Sequence, residues 1–79
     1  MKITVSQKEK KLEIIFKDGK VVDKYTIAKA EDFLGVVDRF IRKSKIDLVS
    51  LRKAGLRFEN TGLLTERIIR SIILGLKFS

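Results

Sequence analysis

Leu12-Glu13-Ile14-Ile15-Phe16-Lys17-Asp18-Gly19-Lys20-Val21-Val22-Asp23-Lys24-Tyr25-Thr26-Ile27 is the stretch on which the fold turns. Leu12, Ile14 and Phe16 alternate with polar neighbours, and the alternation resumes at Val21, Asp23, Tyr25 and Ile27. A period of two puts each set on one face of a strand. The Asp18-Gly19 pair between them suits the positive φ angles of a tight type I′ turn, which predicts a β-hairpin. Upstream, Ile3 and Val5 carry the same period, and the charged link from Gln7 to Lys11 is short enough for a second hairpin connection. Three antiparallel strands in a meander are expected.

Downstream of Ala30 the period changes. Phe33, Leu34, Val37, Phe40 and Ile41 recur at helical spacing, with Glu31 and Asp32 in the first turn and Arg42 and Lys43 in the last. Acids at the start and bases at the end complement the helix dipole. Ile46 to Leu51 predicts one short helical turn, and Gly55-Leu56-Arg57-Phe58-Glu59 a fourth strand. A helical crossover makes strands one and four parallel, so the simplest mixed sheet has the order 3-2-1-4. After the Asn60-Thr61-Gly62 turn, a second long helix carries Leu64, Ile68, Ile69, Ile72, Ile73, Leu74 and Leu76. That apolar stripe is too wide for one sheet face, so its outer side is expected to be covered by something else.

The chain has 79 residues, 44 % of them hydrophobic, with no proline and no cysteine. A chain of this size buries only about 60 to 65 % of the surface its unfolded form exposes, which leaves room for one core. A single domain over residues 1–79 of α/β class is therefore expected. Without cysteine there is neither a disulfide framework nor a thiolate metal site, and no apolar run has signal-peptide or membrane-spanning length. These features point to a cytoplasmic protein with no membrane contact.

Absent residues also restrict the chemistry. With no histidine and no cysteine, the chain lacks the usual general base, nucleophile and transition-metal ligands. Glu13, Asp23, Asp38, Asp47, Glu59 and Glu66 show no pairing that suggests a two-metal site. The expectation is a non-enzyme without a cofactor or metal. Asn60-Thr61-Gly62 reads as a cap of the second helix, since no glycine-rich loop or P-loop lysine accompanies it.

Two segments, Gly19-Lys20-Val21-Val22-Asp23-Lys24-Tyr25-Thr26 and the run from Phe33 through Asp38, Ile46 and Asp47 to Leu51, resemble the N-terminal half of TsaB-like proteins. These are the non-catalytic partners in bacterial tRNA threonylcarbamoyladenosine synthesis. The similarity spans nearly the whole chain and implies a β-β-β-α-β-α half domain of ribonuclease-H-like type. Two signatures differ. The family's first strand ends in Asp-Thr-Ser or a similar triplet, where this chain has Ile3-Thr4-Val5-Ser6-Gln7. The family's Gly-Pro-Gly-Ser-Phe-Thr-Gly-Leu-Arg after strand four is replaced by a segment keeping only Gly62, Thr65 and Arg67 as counterparts. The resemblance also implies that the two helices contact a catalytic TsaD-like subunit.

Both lines lead to a scaffold that pairs through its helix faces, with a TsaD-like subunit or as a homodimer. The expected interface comprises Leu64, Arg67, Ile68, Ser71, Leu74 and Gly75 on the second helix, with Gly35, Val36 and Arg39 on the first. Ser71 and Gly75, four residues apart, either admit a partner helix closely or form a packing notch for the first helix.

A net charge of +8, from 18 Lys and Arg against 10 Asp and Glu, opens an alternative: a small basic nucleic-acid-binding protein. Its phosphate contacts would be Lys8, Lys10 and Lys11 in the first turn and Arg42 and Lys43, beside Arg39 and Lys45, at the end of the first helix. The same lysines also suit edge protection, and the same helix-end bases suit the dipole. Phe16, Phe33, Phe40 and Phe58 fall on core registers, leaving Tyr25 and Phe78 as the aromatic candidates for bases. For the scaffold, tRNA is expected to be contacted indirectly or weakly, whereas the alternative contacts phosphates directly.

Overall fold

The computed structural model describes residues 1–46 and 48–75. Strands β1 (Lys2–Lys8), β2 (Lys11–Asp18) and β3 (Val21–Ile27) precede helix α1 (Phe33–Ser44), the short helix α2 (Leu48–Arg52), strand β4 (Gly55–Glu59) and helix α3 (Leu63–Gly75). The sheet has the order β3-β2-β1-β4, with β1 antiparallel to β2, β2 antiparallel to β3, and β1 parallel to β4. This mixed α/β arrangement is the one read from the periodicities.

Register places one side chain per strand in each cross-sheet row. Leu56, Ile3, Phe16 and Asp23 form one row of the inner face, and Phe58, Val5, Ile14 and Tyr25 the next. Ile3, Val5, Leu12, Ile14, Phe16 and Ile27 are buried there, beneath Phe33, Val36, Val37 and Phe40 of α1 and Ile69 and Ile73 of α3. The centre is aromatic: the Phe16 ring stacks on Phe40 at 4.2 Å between centroids, and Tyr25 meets its edge at 5.7 Å. Leu51 of α2 is also fully buried, which ties the crossover to the same core.

Three local expectations are corrected. The register pairs Asp18 with Val21, so the loop is Gly19-Lys20, and Asp18 belongs to the strand. Gly19 alone has positive φ in that loop (61°), the sign pattern of a type II′ turn, where glycine holds the first position. Glu31 and Asp32 lie in a 3-10 turn, Ala30–Asp32, that leads into α1. At the other end of α1, Lys45 adopts the left-handed conformation and its N–H donates to the Ile41 carbonyl at 2.9 Å. Thr61 Oγ1 is buried and makes no hydrogen bond among the described residues, so it does not cap α3.

Candidate helix-face interface

Helix α3 buries Ile69 and Ile73 against the sheet, half-buries Ile68 and Ile72, and leaves Leu63 and Leu64 76 % and 71 % exposed. Since side chains three and four apart share a helix face, Leu64, Ile68 and Ile72 form a stripe along the flank nearest α1. Leu34, 53 % exposed at the start of α1, stands across from that stripe. Leu34, Ile68 and Ile72, together with Glu31, Arg67 and Ser71, line an open, mostly apolar groove of about 440 Å³. One charge of each sign, Glu31 and Arg67, sits in its walls.

The expected interface residues divide into three places. Arg67, Ile68 and Ser71 share this groove, and Leu64 continues its stripe one turn earlier. Gly35 and Arg39 are exposed but line a second depression, of about 670 Å³, between α1 and the end of β3. Leu74, 72 % exposed, lies on the other flank of α3 beside Arg52, Ala54, Leu56 and Arg70. Val36 is a correction: it is 4 % exposed and belongs to the core. The core stripe of α1 is Phe33, Val36, Val37 and Phe40, at spacings of three, one and three, and this stripe turns Leu34 outward. The sequence reading had the two residues the other way round, although the i, i+3, i+4, i+7 pattern already favoured Val36.

Among the described residues, nothing packs over Gly35 or Gly75. A Cβ added at Gly35 or at Gly75 would meet nothing within 4 Å. Helix α1 therefore does not use Gly75 as a packing notch. A glycine inside a helix costs about 0.5–1 kcal/mol relative to alanine, and among the described residues no close packing at Gly35 offsets that cost.

The expected phosphate contacts separate as well. Lys8, Lys10 and Lys11 are exposed at the β1–β2 end of the sheet, with Lys8 Nζ 3.3 Å from Glu13. Arg42 pairs with Asp38 at 3.2 Å and Lys43 with Asp23 at 3.0 Å, both in the helix layer. Tyr25 is half-buried against Phe16 and is not free to stack on a base, and Phe78 lies outside the described residues. Phe58 is half-buried beneath the Arg70 guanidinium, 5.1 Å from the ring centroid. Two shifted groups reflect these ion pairs. Hydrogen bonds from Lys24 and then Lys8 hold the Glu13 carboxyl below its ordinary value, and the hydrogen bond to Asp23 raises Lys43.

Among the described residues no three Asp or Glu side chains gather as a metal site would require, and no helix is long and apolar enough to cross a membrane. No protein-family model, curated protein or solved structure matches the chain.

Proposed function

We propose that this chain is a non-catalytic partner subunit that acts in the cytoplasm and docks through the groove between α1 and α3. The observation that carries the reading is the apolar groove floored by Leu34, Ile68 and Ile72, with Leu63 and Leu64 exposed beside it. Contiguous apolar surface next to a core this small is characteristic of a contact surface. Gly35 lies in the neighbouring depression, where a helical glycine with open space above it admits a close backbone approach. The resemblance to TsaB-like proteins supplies the partner: a TsaD-like catalytic subunit of the tRNA threonylcarbamoyladenosine assembly, with a second copy of the chain as the competing occupant. Catalysis then belongs to the partner, in keeping with a chain that has no histidine or cysteine.

Titration calorimetry with a TsaD-like subunit from the same organism, paired with light scattering of the chain alone, tests this. The expected result is saturable binding that Leu64→Glu and Ser71→Trp each weaken by about 30-fold, the loss typical of a central contact residue. Circular dichroism verifies the fold of each variant. A folded wild-type chain that gives no heat and stays monomeric sinks the proposal, as does binding that both variants leave unchanged. A stable homodimer without TsaD-like binding replaces the partner but keeps the face.

A further inference from the structure

The sheet has a second face that no helix covers among the described residues. Lys2, Thr4, Ser6 and Lys8 of β1 alternate with the buried residues of that strand and point to it. Lys11, Glu13, Ile15 and Lys17 do so from β2, Val22, Lys24 and Thr26 from β3, and Arg57 and Glu59 from β4. Six cations, Lys2, Lys8, Lys11, Lys17, Lys24 and Arg57, thus share one face with two carboxylates. They come from all four strands, so no single segment of sequence displays the cluster.

Their arrangement is not one that neutralises charge. Lys2 is paired with Lys17 across β1 and β2, and Lys8 with Lys11. Like charges directly opposite on one face destabilise a sheet. Glu13 is shared by Lys24 at 3.2 Å and Lys8 at 3.3 Å, and Glu59 accepts from Ser6 Oγ at 3.3 Å while lying 3.9 Å from Arg57. Lys2, Lys11 and Lys17 have no ion-pair partner among the described residues. A surface needing only solubility would set opposite signs across from one another.

The side-chain types identify the ligand. Lysines interspersed with the hydroxyls of Thr4, Ser6 and Thr26 are donors suited to phosphate oxygens. Among the described residues no aromatic side chain lies on this face, so they offer no stacking platform for unpaired bases. Its apolar members, half-buried Ile15 and exposed Val22, provide no large anchor for a protein partner. From Lys2 to Lys8 the face runs about 20 Å, and across the four strands about 14 Å, by standard strand spacings. A duplex presents about one phosphate charge per 1.7 Å of axis, so about a dozen phosphates pass along that length.

We propose that the open face of the sheet binds the phosphodiester backbone of a double-helical nucleic acid, independently of base sequence. The surface is opposite the helix layer, and the inference does not depend on what docks between α1 and α3. Lys2, Lys11 and Lys17 make the principal phosphate contacts. The helix-end bases Arg42 and Lys43 are occupied by their own carboxylates and contribute little.

Fluorescence anisotropy with the full chain, using a 20-base-pair RNA duplex and a DNA duplex of equivalent sequence, tests the proposal. Three neutralised phosphates give a slope of about −2.7 in log affinity against log salt, a loss of about 40-fold between 50 and 200 mM salt. The double variant Lys2→Gln/Lys17→Gln should reduce that slope by about 2 and weaken binding at least about tenfold at 50 mM salt. The charge-matched variant Arg39→Gln/Arg42→Gln, in the helix layer, should leave both near wild type. Binding of both duplexes supports backbone recognition, and binding of one duplex alone supports it while identifying the source. No binding of either duplex at 50 mM salt overturns the proposal, as do equal losses in the two double variants. Binding to vesicles of phosphatidylserine and phosphatidylcholine, with none to the duplexes, overturns it in favour of a membrane surface.

Discussion

Lys2 of β1 stands directly opposite Lys17 of β2 on the uncovered face of the sheet, two ammonium-bearing side chains in register and both exposed. A cross-strand pair of opposite sign contributes roughly 0.2–1 kcal/mol, and a like pair opposes folding by a similar amount. Replacing Lys17 by glutamate should therefore stabilise the chain by about 0.5–1 kcal/mol. Urea denaturation reads the change as a higher midpoint at an unchanged slope, and a lower midpoint would mean the two lysines do not repel.

Phe40 is the centre of the core, fully buried and stacked on Phe16. Truncating a buried phenylalanine costs about 3–5 kcal/mol. Stability of about 0.05–0.15 kcal/mol per residue gives about 4–12 kcal/mol, and a chain this small belongs near the low end, where such a loss removes most of it. Phe40→Ala is expected to be largely unfolded at 25 °C, visible as lost dispersion in an amide proton spectrum. A well-dispersed spectrum would place the core's weight elsewhere.

At Gly35, alanine should raise stability by about 0.5–1 kcal/mol, because the helix gains propensity and the new methyl group meets no atom. If the α1 face receives a partner backbone closely, the same variant loses affinity. Thermal melting and binding would then move in opposite directions. A variant neutral in both would remove Gly35 from the interface.

Glu13 links the sheet to pH. Its carboxyl is held below the ordinary value by Lys24 and Lys8, so the folded state favours the ionised form more than the unfolded chain does. The resulting stability is present at neutral pH and is lost on acidification from the unfolded value, about 4.3, down through the lower folded value. Stability of the wild type relative to Glu13→Gln should accordingly be larger at pH 7 than at pH 3. Equal differences at the two pH values would mean that the ion pairs do not act on folding. Lys43, raised by Asp23, has the opposite dependence: its contribution is present below the unfolded lysine value and fades as pH rises through the folded one.

Much of the architecture was legible along the chain because it rests on local patterns. Alternation at Leu12, Ile14 and Phe16 and at Tyr25 and Ile27, together with helical spacing through Phe33, Val37 and Phe40, identified the hairpin and α1. The glycine at Gly55 placed the start of β4, and the helical crossover made it parallel to β1. The excess apolar width of α3 was also visible, and Leu64 and Leu74 do remain exposed.

Other features arose only when distant segments met. The outward turn of Leu34 is not one of them, since Phe33, Val36, Val37 and Phe40 already follow the i, i+3, i+4, i+7 spacing of one helix face. The expected interface split because Leu74 turned toward β4 while Ile68 turned toward α1, a division fixed by where α3 lies over the sheet. The cationic face is the clearest case. Sequence determined that each strand alternates, but strand pairing, including the alignment of Lys2 with Gly55, gathered lysines from three strands and Arg57 from the fourth onto one surface. A shift of one residue in any register would send those side chains to the opposite face, so this surface belongs to the tertiary structure.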